Sequence, residues 1–251
     1  MCRHLAYLGA PRSVSHALTD GTHSLFEQSW APTDMRCDAV MNADGWGVAW
    51  WPQASSAHAA AGPDAYRDEH PIWSDPAVRH TLTHVRATAI VAAVRSATVG
   101  MPISAQACAP FTDDGWAFSH NGVIAGWPQT LARLAPDVPV TEWMRTSAPT
   151  DSATLWTYVR HELAAGADPA TLLSRVVTEL CAQAPGSRLN LLLSDGDSVL
   201  ATTCGHSLSV RHDADGVLIA SEPTDGDPRW QPIDDHHLVV ATSARVEITA
   251  L

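Results

Sequence analysis

The second residue of the chain is a cysteine, and the apolar segment behind it, HLAYLGA, reads as a strand rather than a leader. Once Met1 is removed, the free α-amino group belongs to Cys2 itself. Its pKa is about 7.7–8.0 in model peptides, so that amine can take the thiol proton and make Cys2 a nucleophile. The plainer reading is a small buried residue on a terminal strand. Residues 94–102 read VRSATVGMP, with Arg95 closing a strand and Thr98 three positions on. A guanidinium there can grip a carboxylate through two parallel hydrogen bonds, or serve in a surface ion pair. The nearby HVRAT at 84–88 offers Arg86 and Thr88 with one intervening residue instead of two, and Arg86 is read as structural. In SHNGVI at 119–124, the Asn121 amide and the Gly122 backbone N–H can together receive an oxyanion, or form a hairpin turn. Asp151, at the start of a helix, either caps it or faces a substrate ammonium.

Composition narrows the chemistry. The 15 basic residues are all arginine, so a Walker lysine, a Schiff base and a Ser-Lys pair are excluded, and the N-terminus is the one aliphatic amine. Heavy use of Ala and Arg without Lys points to a GC-rich genome. A net charge of -12 argues against a nucleic-acid partner. No apolar run approaches the roughly 20 residues of a membrane span, and the N-terminus lacks a signal-peptide pattern, so a cytoplasmic location is expected. Five widely spaced cysteines (Cys2, Cys37, Cys108, Cys181, Cys204) with no C-x-x-C make neither a disulfide framework nor a zinc site, and the last four default to structural roles. His161 lies in HEL, not H-E-x-x-H, and the His236-His237 pair has no spaced partner. DADG at 213–216 lacks the further ligands of a calcium loop. No metal or cofactor is expected.

The elements that must position these residues follow from short apolar, β-branched runs between turn residues. Strands are expected at 4–8, 46–51, 81–86, 89–95, 116–120, 188–193, 198–204, 207–212, 216–220, 237–241 and 245–249. SDGDS at 194–198 and DADG at 213–216 read as hairpin turns. Helices are expected at 151–165, 168–182 and about 127–134, and 52–70 reads as an exposed loop. Many strands around two central helices predict one domain of sheets with packed helices.

The ordered set of an N-terminal Cys, R-x-x-T at Arg95 to Thr98, H-N-G at His120 to Gly122 and T-D-S at Thr150 to Ser152 resembles the class II glutamine amidotransferase family, which are N-terminal nucleophile hydrolases. The resemblance implies an α+β fold, an αββα sandwich of two mainly antiparallel sheets flanked by helices, as a single domain over 1–251. It implies that Cys2 attacks a γ-glutamyl carbonyl and that Asn121 and Gly122 form the oxyanion hole, with His120 supporting it. Arg95 with Thr98, and Asp151, would hold the glutamyl α-carboxylate and α-ammonium. MCRHLAYLGAPRS, QSWAP at 28–32, MNADGWG at 41–47, AAVRSATVGMP at 92–102 and LIASEP at 218–223 are further similar to one subgroup, the γ-glutamyl-hercynylcysteine S-oxide hydrolases of ergothioneine biosynthesis. The implied partner is a small-molecule γ-glutamyl substrate. The chain ends at Leu251, soon after the last expected strand, so no fused synthase is expected and water is the natural acyl acceptor. Among ten tryptophans, Trp46 is the candidate for holding the substrate's trimethylammonium, and Asn42, Asp44 and Gly45 are expected to shape the loop beside Cys2. The alternatives are a stand-alone glutaminase subunit feeding a synthetase, separated by its preference for free glutamine, and a non-catalytic binding protein with Met1 retained.

Overall fold

The computed structural model describes residues 2–36, 41–52 and 62–251; Met1, Cys37 and residues 53–61 of the expected loop lie outside the described residues. In chain order the elements are β1 (Arg3–Ser13), α1 (Val14–Thr19), α2 (Leu25–Gln28), β2 (Trp46–Pro52), β3 (Asp64–Asp68), β4 (Arg86–Val94), β5 (Phe111–Asp113), β6 (Trp116–Val123), α3 (Gln129–Leu134), α4 (Val140–Trp143), α5 (Asp151–Ala164), α6 (Pro169–Gln183), β7 (Arg188–Ser194), β8 (Ser198–Thr203), β9 (Ser209–Asp213), β10 (Gly216–Ala220), β11 (Gln231–Pro232), β12 (His237–Thr242) and β13 (Arg245–Ala250). They build a seven-stranded sheet, β11-β9-β10-β1-β4-β2-β3, and a six-stranded sheet, β13-β12-β8-β7-β6-β5. The described strand pairs are antiparallel.

Strand alternation sorts the apolar residues into three layers. Between the sheets lie mostly small residues: Ala6, Ala49, Ala89 and Val91 from one sheet meet Ala117, Ala201, Val239 and Ala241 from the other. Leu5, Trp46, Val48 and Ile90 point outward, under Val14 and Leu18 of α1 and Phe26 of α2. Phe118, Leu191 and Leu193 point outward on the second sheet, under Leu155 and Val159 of α5 and Leu173, Val176 and Leu180 of α6. The architecture is an αββα sandwich.

Several expectations are corrected. The strand expected at 81–86 is not formed before its last residue: 81–85 turn, and sheet pairing begins at Arg86. The carbonyls of Leu82 and Val85 accept the N–H groups of Ser15 and Val14 at the start of α1, so this backbone is satisfied by a helix terminus rather than a ladder. Asn121-Gly122 is not a hairpin turn. Both residues lie inside β6, opposite Asn190 and Leu189 of β7. Within the expected loop, DAYRD pairs with β2 as the edge strand β3. The 194–198 and 213–216 turns do close hairpins, β7–β8 and β9–β10.

Candidate active site

The inward face of β1 carries His4, Ala6 and Leu8, and the same alternation assigns Cys2 to the space between the sheets. Arg3 pairs with Val94, and Val94 also pairs with Trp46, so the ends of β1, β4 and β2 coincide. The chain just beyond each end is stitched to its neighbour. The Arg95 N–H donates to Gly45 O at 2.8 Å, and the Asp44 N–H donates to Arg95 O at 2.9 Å. The Asp44 carboxylate accepts the Ala97 N–H at 2.8 Å, and the Cys2 Sγ lies 3.7 Å from Ser96 O. Gly45 is required here: its φ is +113°, and a Cβ would stand 2.4 Å from the Cys108 sulfur.

Arg95 is 91% buried by its relative exposure of 9%. Its Nη1 donates to Pro102 O at 2.9 Å and reaches Asp44 O at 3.5 Å, while Nε and Nη2 meet no acceptor among the described residues. That leaves one edge of the guanidinium fork for a carboxylate. Arg86, at the opposite end of β4 and roughly 30 Å away at strand rise, donates to Pro11 O. Thr98 is exposed and opens a turn closed by the Met101 N–H on Thr98 O at 2.9 Å.

The second sheet supplies the other wall. Ala117, Ser119 and Asn121 alternate inward on β6, and the Asn121 amide is 1% exposed. Its Nδ2 lies 3.3 Å from Ser221 Oγ, while Oδ1 is buried without a partner among the described residues. Ser221 Oγ also accepts the His4 N–H at 3.0 Å. Gly122 permits a close approach: a Cβ would stand 1.8 Å from the Arg188 carbonyl oxygen. Thr150, not Asp151, caps α5, accepting the Ala153 N–H at 3.2 Å. Asp151 is the first helical residue, with its carboxylate accepting the N–H groups of Ile124 at 3.0 Å and Ser152 at 2.8 Å.

Two expected contributors stand elsewhere. His120 follows Phe118 on the outward face of β6. Its Nε2 donates to Arg188 O at 2.9 Å, so its Nδ1 must accept the Ser152 hydroxyl at 3.0 Å. It therefore ties α5 to the strand and does not face Cys2. Trp46 is fully buried on the outward face of β2, tilted against Tyr66 with centroids 5.4 Å apart. It has no exposed indole face for a trimethylammonium, because the residues after Gly45 enter the sheet.

The thiol and the arginine stand at the joined ends of β1, β4 and β2, the buried amide reaches the His4 backbone of β1 through Ser221, and the helix-terminal carboxylate binds the chain leaving β6 at Ile124. The family model described as glutamine amidotransferases class-II matches residues 26–212. The chain belongs to the class II glutamine amidotransferases. The chain is 38% identical over 251 residues to the γ-glutamyl-hercynylcysteine sulfoxide hydrolase of Mycolicibacterium smegmatis, covering 100% of both chains. It is 39% identical to the protein of the same name from Mycobacterium tuberculosis, covering 100% of this chain and 97% of that one. Among solved structures, a glutamine aminotransferase class-II domain protein from Silicibacter pomeroyi superposes with TM-score 0.69 at 23% identity, covering 99% of each chain. Glutamine phosphoribosylpyrophosphate amidotransferase from B. subtilis superposes with TM-score 0.65 at 14% identity, over 99% of this chain and 49% of that one. At these identities the two structures establish the fold: the αββα sandwich of N-terminal nucleophile hydrolases.

The groups that support these residues carry little local signature in the sequence. Arg3 donates from Nη1 to Cys2 O at 3.1 Å and from Nε to Glu222 at 2.6 Å, holding the peptide that follows Cys2. Asn190 uses its whole side-chain amide: Oδ1 accepts the N–H groups of Cys204 and His206, and Nδ2 donates to the carbonyls of His206 and Ser207. The one signal was a lone asparagine in a leucine strand, RLNLLL. His4 has its Nδ1 3.2 Å from Ser119 Oγ, and burial, then the nearby His120 and His206, lower its pKa to about 3. It stays neutral beside Cys2.

Proposed function

We propose that this chain hydrolyses the γ-glutamyl amide of γ-glutamyl-hercynylcysteine S-oxide to glutamate and hercynylcysteine S-oxide. The observation that carries the reading is end-to-end identity of 38–39% with relatives that bear this name, in a chain that carries Cys2, Arg95, Asn121 and Asp151. With Met1 removed, the Cys2 amine takes the thiol proton, and the thiolate attacks the γ-carbonyl. The oxyanion is received by the Gly122 N–H and the Asn121 amide, turned so that its Oδ1 accepts the Ser221 hydroxyl and its Nδ2 donates inward. The C–N bond breaks as the α-ammonium returns its proton to the departing amine. Water then attacks the γ-glutamyl thioester, and glutamate leaves with Cys2 regenerated. The free edge of Arg95 pairs with the substrate α-carboxylate, and Asp151 accepts from its α-ammonium. Thr98 lines the loop beside Arg95.

The test is glutamate release by purified protein from γ-glutamyl-hercynylcysteine S-oxide and, in parallel, from glutamine, with Cys2→Ala as the inactive control and intact mass to report Met1. Release from the first and little from the second is expected. A preference for glutamine would overturn the substrate while keeping the nucleophile.

A further inference from the structure

Cys181, near the C-terminal end of α6, and Cys204, directly after β8, bring their sulfurs to 2.7 Å from one another. Cys204 is 4% exposed, whereas Cys181 is half-buried at the rim of the helical layer. The His236 imidazole completes the cluster, with its ligand nitrogen and both sulfurs all within 4.8 Å of one another. His236 is exposed, and its backbone is fixed by an N–H donated to Thr203 O at 2.9 Å. None of the three belongs to the machinery around Cys2.

Two chemistries suit two sulfurs and an imidazole: a shared soft metal ion, or a bond between the sulfurs. Thiolates each about 2.3 Å from a tetrahedral zinc are held roughly 3.8 Å apart. The thiols here are packed well inside that separation. We propose that Cys181 and Cys204 form a reversible disulfide when the protein meets a mild peroxide.

The asymmetry of the pair sets the order of events. Burial, reinforced by the Cys181 thiol, pushes the Cys204 thiol up, away from the thiolate form. Cys181, reachable from solvent, attacks first. Its thiolate attacks one peroxide oxygen; an S–O bond forms as the O–O bond breaks, the sulfur becomes a sulfenic acid, and the other oxygen leaves as water. The Cys204 sulfur then attacks that sulfenic sulfur. The S–O bond breaks, and the hydroxyl leaves as a second water with the Cys204 proton, which His236 can relay. Two thiols lose two electrons and two hydrogens, and one peroxide becomes two waters.

The bond would tie α6 to a turn that seats the oxyanion strand. The Cys204 carbonyl accepts the Leu189 N–H at 2.8 Å, and the Cys204 N–H donates to Asn190 Oδ1 at 3.0 Å. Leu189 and Asn190 lie opposite Gly122 and Asn121.

The experiment uses the full chain carrying Cys2→Ala, which removes the competing nucleophile. Protein is treated with stoichiometric hydrogen peroxide, free thiols are alkylated, and the chain is cut at arginine. Cleavage after Arg175, Arg188 and Arg211 leaves Cys181 and Cys204 alone on peptides 176–188 and 189–211. The expected result is a cross-linked pair of these peptides lighter by two hydrogens, reversed by dithiothreitol and absent in Cys181→Ser and in Cys204→Ser. Tm of the oxidised protein should rise by roughly 5–10 °C, as for closing a loop of this length. Alkylation of both cysteines after peroxide, a cross-link through Cys108 or Cys37 instead, or stoichiometric zinc that shields both thiols would each overturn the proposal.

Discussion

Each site residue has a different share of the work. Arg95 presents one free edge of its fork from a buried position, so the glutamyl carboxylate should neutralise it geometrically as well as electrically. Arg95→Lys keeps the charge but loses the paired geometry; KM should rise at least tenfold, with a smaller change in kcat, in steady-state glutamate release. An unchanged KM would place the carboxylate elsewhere. Asn121→Ala should lower kcat about 10²–10³-fold, the usual cost of one oxyanion donor. Ser221 acts through that amide. Ser221→Ala removes the hydroxyl 3.3 Å from the Asn121 side-chain amide and should lower kcat about fivefold, the scale of a neutral hydrogen bond of ~1 kcal/mol, with KM held. Equal losses in kcat and folding stability, with a parallel rise in KM, would make Ser221 merely structural.

At the scale of the element, β6 shows how tightly the site is built into the sheet. Gly122 meets the Arg188 carbonyl so closely that any Cβ must displace β7. Arg188 is itself anchored, with its Nε 3.1 Å from His206 Nε2 and its carbonyl bonded to His120. Gly122→Ala should therefore cost at least about 3 kcal/mol, as an overpacked backbone contact does. Calorimetry would then show Tm falling by roughly 6–12 °C. An unaffected Tm would mean that β7 can slide away from β6. α5 is held by two separate devices, the Thr150 cap and the His120–Ser152 bond, and Asp151 is thereby left free of the capping duty.

Across the whole molecule, buried titratable groups tie folding to pH. Burial alone would raise the Glu222 carboxyl, but hydrogen bonds from Thr33, the Arg3 charge and His23 outweigh it and hold the group at about 2. A depressed carboxyl contributes stability above its unfolded pKa near 4.5, and this is lost as pH falls toward 2. At about 1.4 kcal/mol per unit the contribution is on the order of 3 kcal/mol. His4 and His206 are lowered to about 3, chiefly by burial. In the unfolded chain they protonate below about 6.5, so their neutral burial also loses stability as pH falls from there toward 3. Denaturant midpoints should decline below pH ~6.5 and more steeply below ~4.5, and Glu222→Gln should flatten the lower limb alone. A midpoint independent of pH between 7 and 4 would contradict both assignments. No helix among the described residues is long and apolar enough to cross a membrane.

The sequence by itself determined many strands packed with a few helices, because period-two apolar runs mark strands wherever one face is buried. The sandwich, and acyl chemistry at Cys2, Arg95, Asn121 and Asp151, followed only from the resemblance of the ordered motifs to the class II glutamine amidotransferases. Tertiary structure decided which face each side chain serves. Trp46 and His120 sit one residue from a loop or an oxyanion group in the sequence, yet alternation turns both outward. Arg86 and Arg95 look alike along the chain, but one stands at each end of β4. The supports were hidden for a related reason: Ser221 reaches Asn121 across 100 residues, and Glu222 reaches Arg3 across 219. Local pattern carries the period of a strand, but a contact between distant segments exists only once the sheets have paired and closed on one another.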